Sequence, residues 1–329
     1  MRLYQIIKDV VNFGICKSKP IIVHTDHFYI GEERLSKRLN DSVYTENDAV
    51  IMYKRPEDEY EVYSNGKFDQ LIYRLSSPYH LGSDNWIEHE NHTDGHANVF
   101  FSEHGHEYRF NIIVSKGIHW PRYSSKYSVL LFSEPNVSYV IAVTKTGERL
   151  WEYKEEDENL KINGRCIPVV DDVVVIISLY GAKPKKIQGF NIRTGERLWK
   201  IESEAKYEPD TFFMGKDKML YGCRGYVIRP GIGITKLNPF TGELEVSLIN
   251  NEEVFDFMPW NVTMHDRQLY FVDNRRGNEI GVIDVDKLEL IERVPLNIKK
   301  KVTIGAPVVT DDKVYVFIRD LKELRVYDK

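Results

Sequence analysis

The sequence predicts an all-β fold: one domain over residues 1–329, built as a seven-bladed β-propeller of four-stranded antiparallel blades. Three observations carry this expectation. A turn-centred repeat recurs every 45–48 residues. Prolines mark the starts of successive apolar runs. The last unit is one strand short, and the N-terminus can supply that strand.

The repeat is clearest in "VTKTGERLWEYK" (143–154) and "NIRTGERLWKIE" (191–202). "LNPFTGELEVSL" (237–248) and a weaker "IDVDKLELIERV" (283–294) follow. Anchored on the turn, the copies align at Gly147, Gly195, Gly242 and Lys287, with spacings of 48, 47 and 45. Periods of about 20–50 residues mark repeat architectures. Prolines stand ahead of apolar runs at 20, 78, 121, 168, 209, 259 and 307, with intervals of 58, 43, 47, 41, 50 and 48. A proline at the start of a strand breaks no ladder hydrogen bond. Seven marks predict seven units.

One unit shows the strands. "CIPVVDD" (166–172) is a short strand ending in a turn, and "VVVIISLYG" (173–181) is a continuous apolar run, as in a strand buried on both faces. "KIQGFNI" (186–192) is the third strand. The TG turn, where glycine takes the positive φ of a tight hairpin, leads into the fourth, "ERLWKIE". Four short strands per ~45 residues make one propeller blade. After Pro307 the chain supplies three strands and stops. Residues 2–8 ("RLYQIIK") are expected to complete the blade formed by 302–328, which removes an open edge.

The D/N-x-x-TG-x-x-LW unit resembles the repeat of PQQ-like, quinoprotein-type β-propellers, clearly over 137–329 and loosely over 1–136. The resemblance implies that the repeat's Trp packs on the neighbouring blade, a role that Trp151 and Trp199 match. Val246 and Ile291 stand at that place in the next two units. The family's quinone-dependent dehydrogenases carry a vicinal Cys–Cys pair and calcium-binding residues. Cys16, Cys166 and Cys223 are far apart and there is no CxxCH, so no cofactor and no dehydrogenase activity are expected.

Composition narrows the function further. Lys and Arg total 45 against 50 Asp and Glu, so the chain lacks the basic excess of a nucleic-acid binder. Lys183, Lys185 and Lys186 beside Tyr180 read as a solvated loop. Sparse, odd cysteines, an N-terminus interrupted by Lys8 and Asp9, and no apolar run near ~20 residues point to a cytoplasmic protein without a membrane span. There is no GxSxG, and "GIGITK" (231–236) lacks both the third glycine of a dinucleotide loop and the GK[ST] of a P-loop.

Histidines raise the one metal question, since seven of the ten lie between His80 and His119. "HENH" (89–92) is one residue short of HExxH and sits in strand-like surroundings. Asp94-Gly95 reads as a two-residue hairpin turn, which would set Thr93 opposite His96 and His89 opposite Phe100. His89 and His96 would then share a face about 13 Å apart, with His92 on the other face. No metal site is expected there. His104 and His106, flanking the next turn, are the residual candidates.

The remaining reading is a non-enzymatic protein-binding propeller with no catalytic residues. Trp120, Arg122, Tyr123 and Trp260, near the proline marks, have the chemistry of interface anchors. Glu155, Glu156, Asp157 and Glu158 form an acidic loop that could meet a basic cleft. An immunity protein neutralising a toxin domain fits this profile, and so does a scaffold. A hydrolase or lyase sited in the propeller channel, metal-dependent or not, is the rival class.

Overall fold

The computed structural model describes residues 1–329 apart from 40, 47–48, 55–58, 65–66, 72–78, 82–84, 94, 105, 115–118, 135–138, 182, 204–208, 227–228, 275–277 and 299–301. A few further side chains in strands and turns, including those of Trp120 and Trp260, also lie outside the description. The described residues form eight antiparallel sheets. We number them as blades 1 to 8: 12–36, 42–71, 79–113, 119–154, 161–202, 213–254, 262–295, and 308–328 joined by Arg2–Ile7.

The chain is therefore an eight-bladed propeller, and the expectation of seven blades is corrected. The missed unit lies in the longest proline interval. Pro20 sits inside the second strand of blade 1, Lys19–Val23, rather than ahead of a first strand. Blade 1 uses strands of four or five residues, and no proline stands ahead of the first strand of blade 2, Ser42–Glu46. Two compact blades thus fill a stretch in which a fixed period of ~45 residues counts little more than one.

Within a blade the strands pair in chain order. The second strand is the most buried, as in Val173–Tyr180, whose first six residues are all buried. The fourth alternates, as in Arg197–Glu202, because only one of its faces meets a neighbour. In blade 5 the first strand is split into Lys161–Ile162 and Val169–Val170, with Gly164 and Pro168 in the interruption. In blade 8 the N-terminal strand Arg2–Ile7 pairs with Glu323–Asp328, so both ends of the chain share one sheet.

The apolar core lies between blades rather than at one centre. One layer joins Phe101 and Ile112 of blade 3 to Leu130 and Ile141 of blade 4. The next joins Ala142 and Trp151 of blade 4 to Val174 and Phe190 of blade 5. Equivalent layers connect blades 5 to 6, 6 to 7, 7 to 8, 8 to 1 and 1 to 2. At three junctions an aromatic ring from the fourth strand presses on the third-to-fourth turn of the next blade. Phe110 lies on Gly147, Trp151 on Gly195 and Trp199 on Gly242, and a Cβ on any of these glycines would fall 2.5–2.7 Å from the ring's side chain. Both indoles donate Nε1–H to a carbonyl of the neighbouring blade, Ile192 and Pro239, at 2.7 Å.

The next two junctions depart from the expected substitutions. In blade 6 Thr235 pairs with Val246 and Lys236 with Glu245, without the bulge that sets Trp199 opposite Gly189. Val246 is 43% exposed, and Glu245 takes the register of the tryptophan. In blade 7 the bulge returns, and Glu292, not Ile291, stands opposite Val282 at that register. Its carboxylate pairs with the Met1 ammonium. The positive φ of that turn falls on Leu288 rather than Lys287, at 56°.

Candidate interaction face

Antiparallel blades give the propeller two unlike faces. One carries the first-to-second and third-to-fourth turns and is called here the turn face. The other carries the second-to-third turns and the blade-to-blade connections and is called the connection face.

Ion pairs between neighbouring hairpins tie the turn face together. Asp171 of blade 5 takes Lys126 of blade 4 at 3.9 Å and Lys218 of blade 6 at 2.6 Å. Arg267 of blade 7 reaches Asp217 of blade 6 at 2.6 Å and also holds Asp286. Lys216 pairs with Asp266, and His265 Nε2 lies 3.3 Å from Asp311 of blade 8. These groups face water, so each pair adds little stability, but most of their charge is already met within the protein.

The connection face exposes apolar groups around a cavity. Leu39, between blades 1 and 2, is 70% exposed and Val11 is 41% exposed. Both line a cavity of about 380 Å³ with Val23, Val43, Lys37 and Asp41. The Lys37 ammonium is bound by the carbonyls of Thr25 at 2.7 Å and Asp41 at 3.0 Å. Burial lowers its pKa, against the opposing charges of Asp41 and Asp26. Tyr180 and Met258 add further exposed apolar surface on the same face. Leu39 and Val11 carried no sequence signal, because single aliphatic residues in polar connections match no pattern.

The predicted anchors do not share one end: Trp120 and Trp260 fall toward the connection face, whereas Tyr123 stands beside the turn that follows Ser124, at the turn face. Trp120 belongs to the first strand of blade 4, His119–Ser124, and Trp260 to the short turn Pro259–Asn261. Both side chains lie outside the described residues. Arg122 is half-buried and donates to the carbonyl of Arg165 in blade 5 at 3.0 Å. The Tyr123 hydroxyl donates to Glu103 of blade 3, and its ring centroid lies 4.8 Å from that of Phe101. Burial and Glu103 push its phenol up to about 12. Arg122 and Tyr123 therefore bind blade 4 to its two neighbours.

The acidic loop divides in the same way. Glu156, Asp157 and Glu158 are exposed in the connection from blade 4 to blade 5. Glu155 is 5% exposed and turned inward. It accepts from Ser178 at 2.6 Å, Lys186 at 2.7 Å and Tyr153 at 3.0 Å. Burial pushes its carboxyl up, but Lys186, Ser178 and the Asp157 N–H outweigh that, and the pKa is lowered.

The histidines separate in space. His92 pairs with His96 around a three-residue turn, and Gly95 has φ 87°. His89 consequently opposes Val99, not Phe100, one step from the expected register. His89 is buried while His92 and His96 are exposed, so His89 and His96 do not share a face. Asp94 and Gly105 lie outside the described residues. His104 and His106 are exposed; among the described residues the one group that could hold a metal ion is His265, Asp266 and Asp311. Lys329 lies 3.0 Å from His265 Nδ1 in that group.

No family model matches the chain, and no curated protein matches it. Solved structures do match over nearly the whole chain. BamB from Moraxella catarrhalis is similar with a TM-score of 0.62 at 13% identity, covering 99% of each chain. Sqt1 from Saccharomyces cerevisiae is similar with a TM-score of 0.59 at 12% identity, covering 100% of this chain and 99% of its own. A catalytically inactive virginiamycin B lyase from Staphylococcus aureus, solved with quinupristin, has a TM-score of 0.51 at 12% identity, covering 87% and 95%. The first two are β-propellers, and at these identities the likeness shows the fold: this chain is a β-propeller.

Proposed function

We propose that the chain is a non-enzymatic, protein-binding propeller of the cytosol that meets its partner on the connection face. The observation behind this reading is the apolar-lined cavity on the connection face. Charges on the turn face pair with one another, whereas the connection face presents Leu39 and Val11 around a cavity, with Glu156, Asp157 and Glu158 exposed on the same face. An exposed apolar anchor point is the usual centre of a protein interface. Three free cysteines fit a reducing compartment.

Within this reading the partner is a toxin domain and the chain acts as its immunity protein. The three exposed acids supply negative charge toward a basic or catalytic cleft. A scaffold role would use the same surface without inhibiting the partner. The channel-enzyme reading needs ligands converging from several blades. The His265 group comes from two adjacent hairpins, and Lys216 and Lys329 already occupy part of it.

The test uses the complex recovered from the native host. Leu39→Asp should weaken it at least tenfold. Replacing Glu156, Asp157 and Glu158 by Ala should slow association and flatten its salt dependence. Lys126→Ala on the turn face should leave both unchanged. Unaltered affinity in the Leu39→Asp and triple variants would sink the proposal.

A further inference from the structure

We propose that His24 and His27 form an acid-sensitive latch on the wall of the connection-face cavity, which orders that wall at neutral pH and releases it when both rings carry protons. The latch is a property of the free chain. Its regulatory meaning, control of partner binding by pH, rests on the connection face being the partner's site.

The two histidines close the hairpin between Lys19–Val23 and His27–Ile30, the second and third strands of blade 1. The His24 N–H donates to the His27 carbonyl at 2.9 Å. Residues directly opposite each other across a hairpin share a face. The two imidazoles accordingly stack, with centroids 4.5 Å apart and planes 11° apart. The Tyr29 ring stands edge-on to both, at 5.8 and 5.4 Å. Each imidazole is anchored through Nδ1. His24 donates to the Asp9 carbonyl at 3.2 Å and His27 to the Asp26 carboxylate at 2.7 Å. A carbonyl and an ionised carboxylate only accept, so Nδ1 carries the proton in both rings and Nε2 is the nitrogen left to titrate.

The latch reaches the cavity through two neighbours. Asp9, in the left-handed region at φ 58°, precedes Val10 and Val11 in the link from blade 8. The Val11 N–H donates to the Val23 carbonyl at 2.7 Å, and Val11 and Val23 both line the cavity. Thr25, between the histidines, is also a lining residue, and its carbonyl takes the Lys37 ammonium. The bond from His24 to Asp9 therefore ties the link to the turn, and the stack fixes the turn beside the cavity.

The surrounding charges set the direction of the response. Asp9 faces His24 from the link, and Asp26 and His27 face it from the turn. Arg34 of the fourth strand faces Asp26, while Asp26 and Asp41 face Lys37 of the connection to blade 2. Burial and then His27 hold the His24 imidazole below its ordinary value, and the Asp9 carbonyl with the Asp9 and Asp26 charges does not reverse this. The folded turn thus favours neutral His24. That contribution is complete above about pH 6.5 and is lost as the pH falls below it. With both rings charged, like charges meet within the stack, and the closed turn loses about fivefold in population against the open one.

The experiment is amide hydrogen exchange, followed by NMR on the full-length chain at pH 7.5 and pH 5 and corrected for intrinsic exchange. Protection of the His24 and Val11 N–H groups should fall about fivefold in acid. The Gly31 N–H, bonded to the Pro20 carbonyl at the other end of the same strands, should not change. His24→Gln keeps a side-chain donor for Asp9 but cannot charge, and should abolish the fall. His27→Gln removes the second charge and serves if the first variant does not fold. Protection that is equal at both pH values, or that falls as far in a folded glutamine variant, would overturn the latch. These readouts need no partner, so they stand or fall apart from the Leu39→Asp test of the binding face. Where that test succeeds, partner affinity should drop in acid for the wild type and not for His24→Gln. Affinity that stays flat while protection falls would overturn the regulatory meaning.

Discussion

Replacing Glu155 by Ala should destabilise the propeller although the residue lies in a run of surface acids. The carboxylate accepts from Ser178, Lys186 and Tyr153, so it joins blade 4 to the second and third strands of blade 5. Removing it strands the Lys186 ammonium and leaves the buried Ser178 hydroxyl without this acceptor. Breaking a buried pair from one side costs about 3–5 kcal/mol. The Lys186 side chain is 18% exposed and regains some hydration, so the lower end, about 3 kcal/mol, applies. In a chain of this size that lowers the melting temperature by about 4 °C.

The pH dependence has a definite sign. The folded carboxyl is depressed below its unfolded value of about 4.3. Its contribution is therefore complete above that value and is lost as pH falls through the folded pKa. The gap in stability between wild type and Glu155→Gln should accordingly narrow as the pH is lowered through that range. Glu156→Ala and Glu158→Ala, in exposed positions, should stay within about 0.5 kcal/mol. Urea unfolding followed by tryptophan fluorescence at pH 7 and in acid reads all four variants. A Glu155→Ala protein within 1 kcal/mol of wild type at neutral pH would refute the hub, as would a gap that widens in acid.

Two further outcomes test the architecture. Trp151→Ala empties a junction and removes the bond to the Ile192 carbonyl, so it should cost about 3–5 kcal/mol, measured by denaturant titration. Deleting residues 2–7 uncovers the edge of Glu323–Asp328. The truncated protein should melt lower and associate through that edge, visible by light scattering; an unchanged melting point would argue against ring closure by this strand.

Where these contacts were legible follows from where their signals lie. The TG turns could be read because positive φ selects glycine locally, and Gly147, Gly195 and Gly242 each sit under an aromatic ring. Phe110 escaped notice because a phenylalanine stands in for the repeat's tryptophan. The face of Glu245 could not be read either, since losing one bulge moves the whole strand by one residue and exchanges its faces. The same one-residue sensitivity displaced the histidine register, where a three-residue turn replaced the expected two-residue one. Glu155 looked like its exposed neighbours because the groups that draw it inward, Ser178 and Lys186, lie 23 and 31 residues further along the chain.

The sequence by itself determined the blade: its alternating strands, its hairpin turns that repeat every 45–48 residues and the plugs Trp151 and Trp199, all written in local patterns of period two or in single residues. The tertiary structure alone decided the number of blades, which acids face water, and which junctions carry a ring. Those depend on where bulges set the register and on which charged groups meet across a blade boundary, distances that no window of consecutive residues contains.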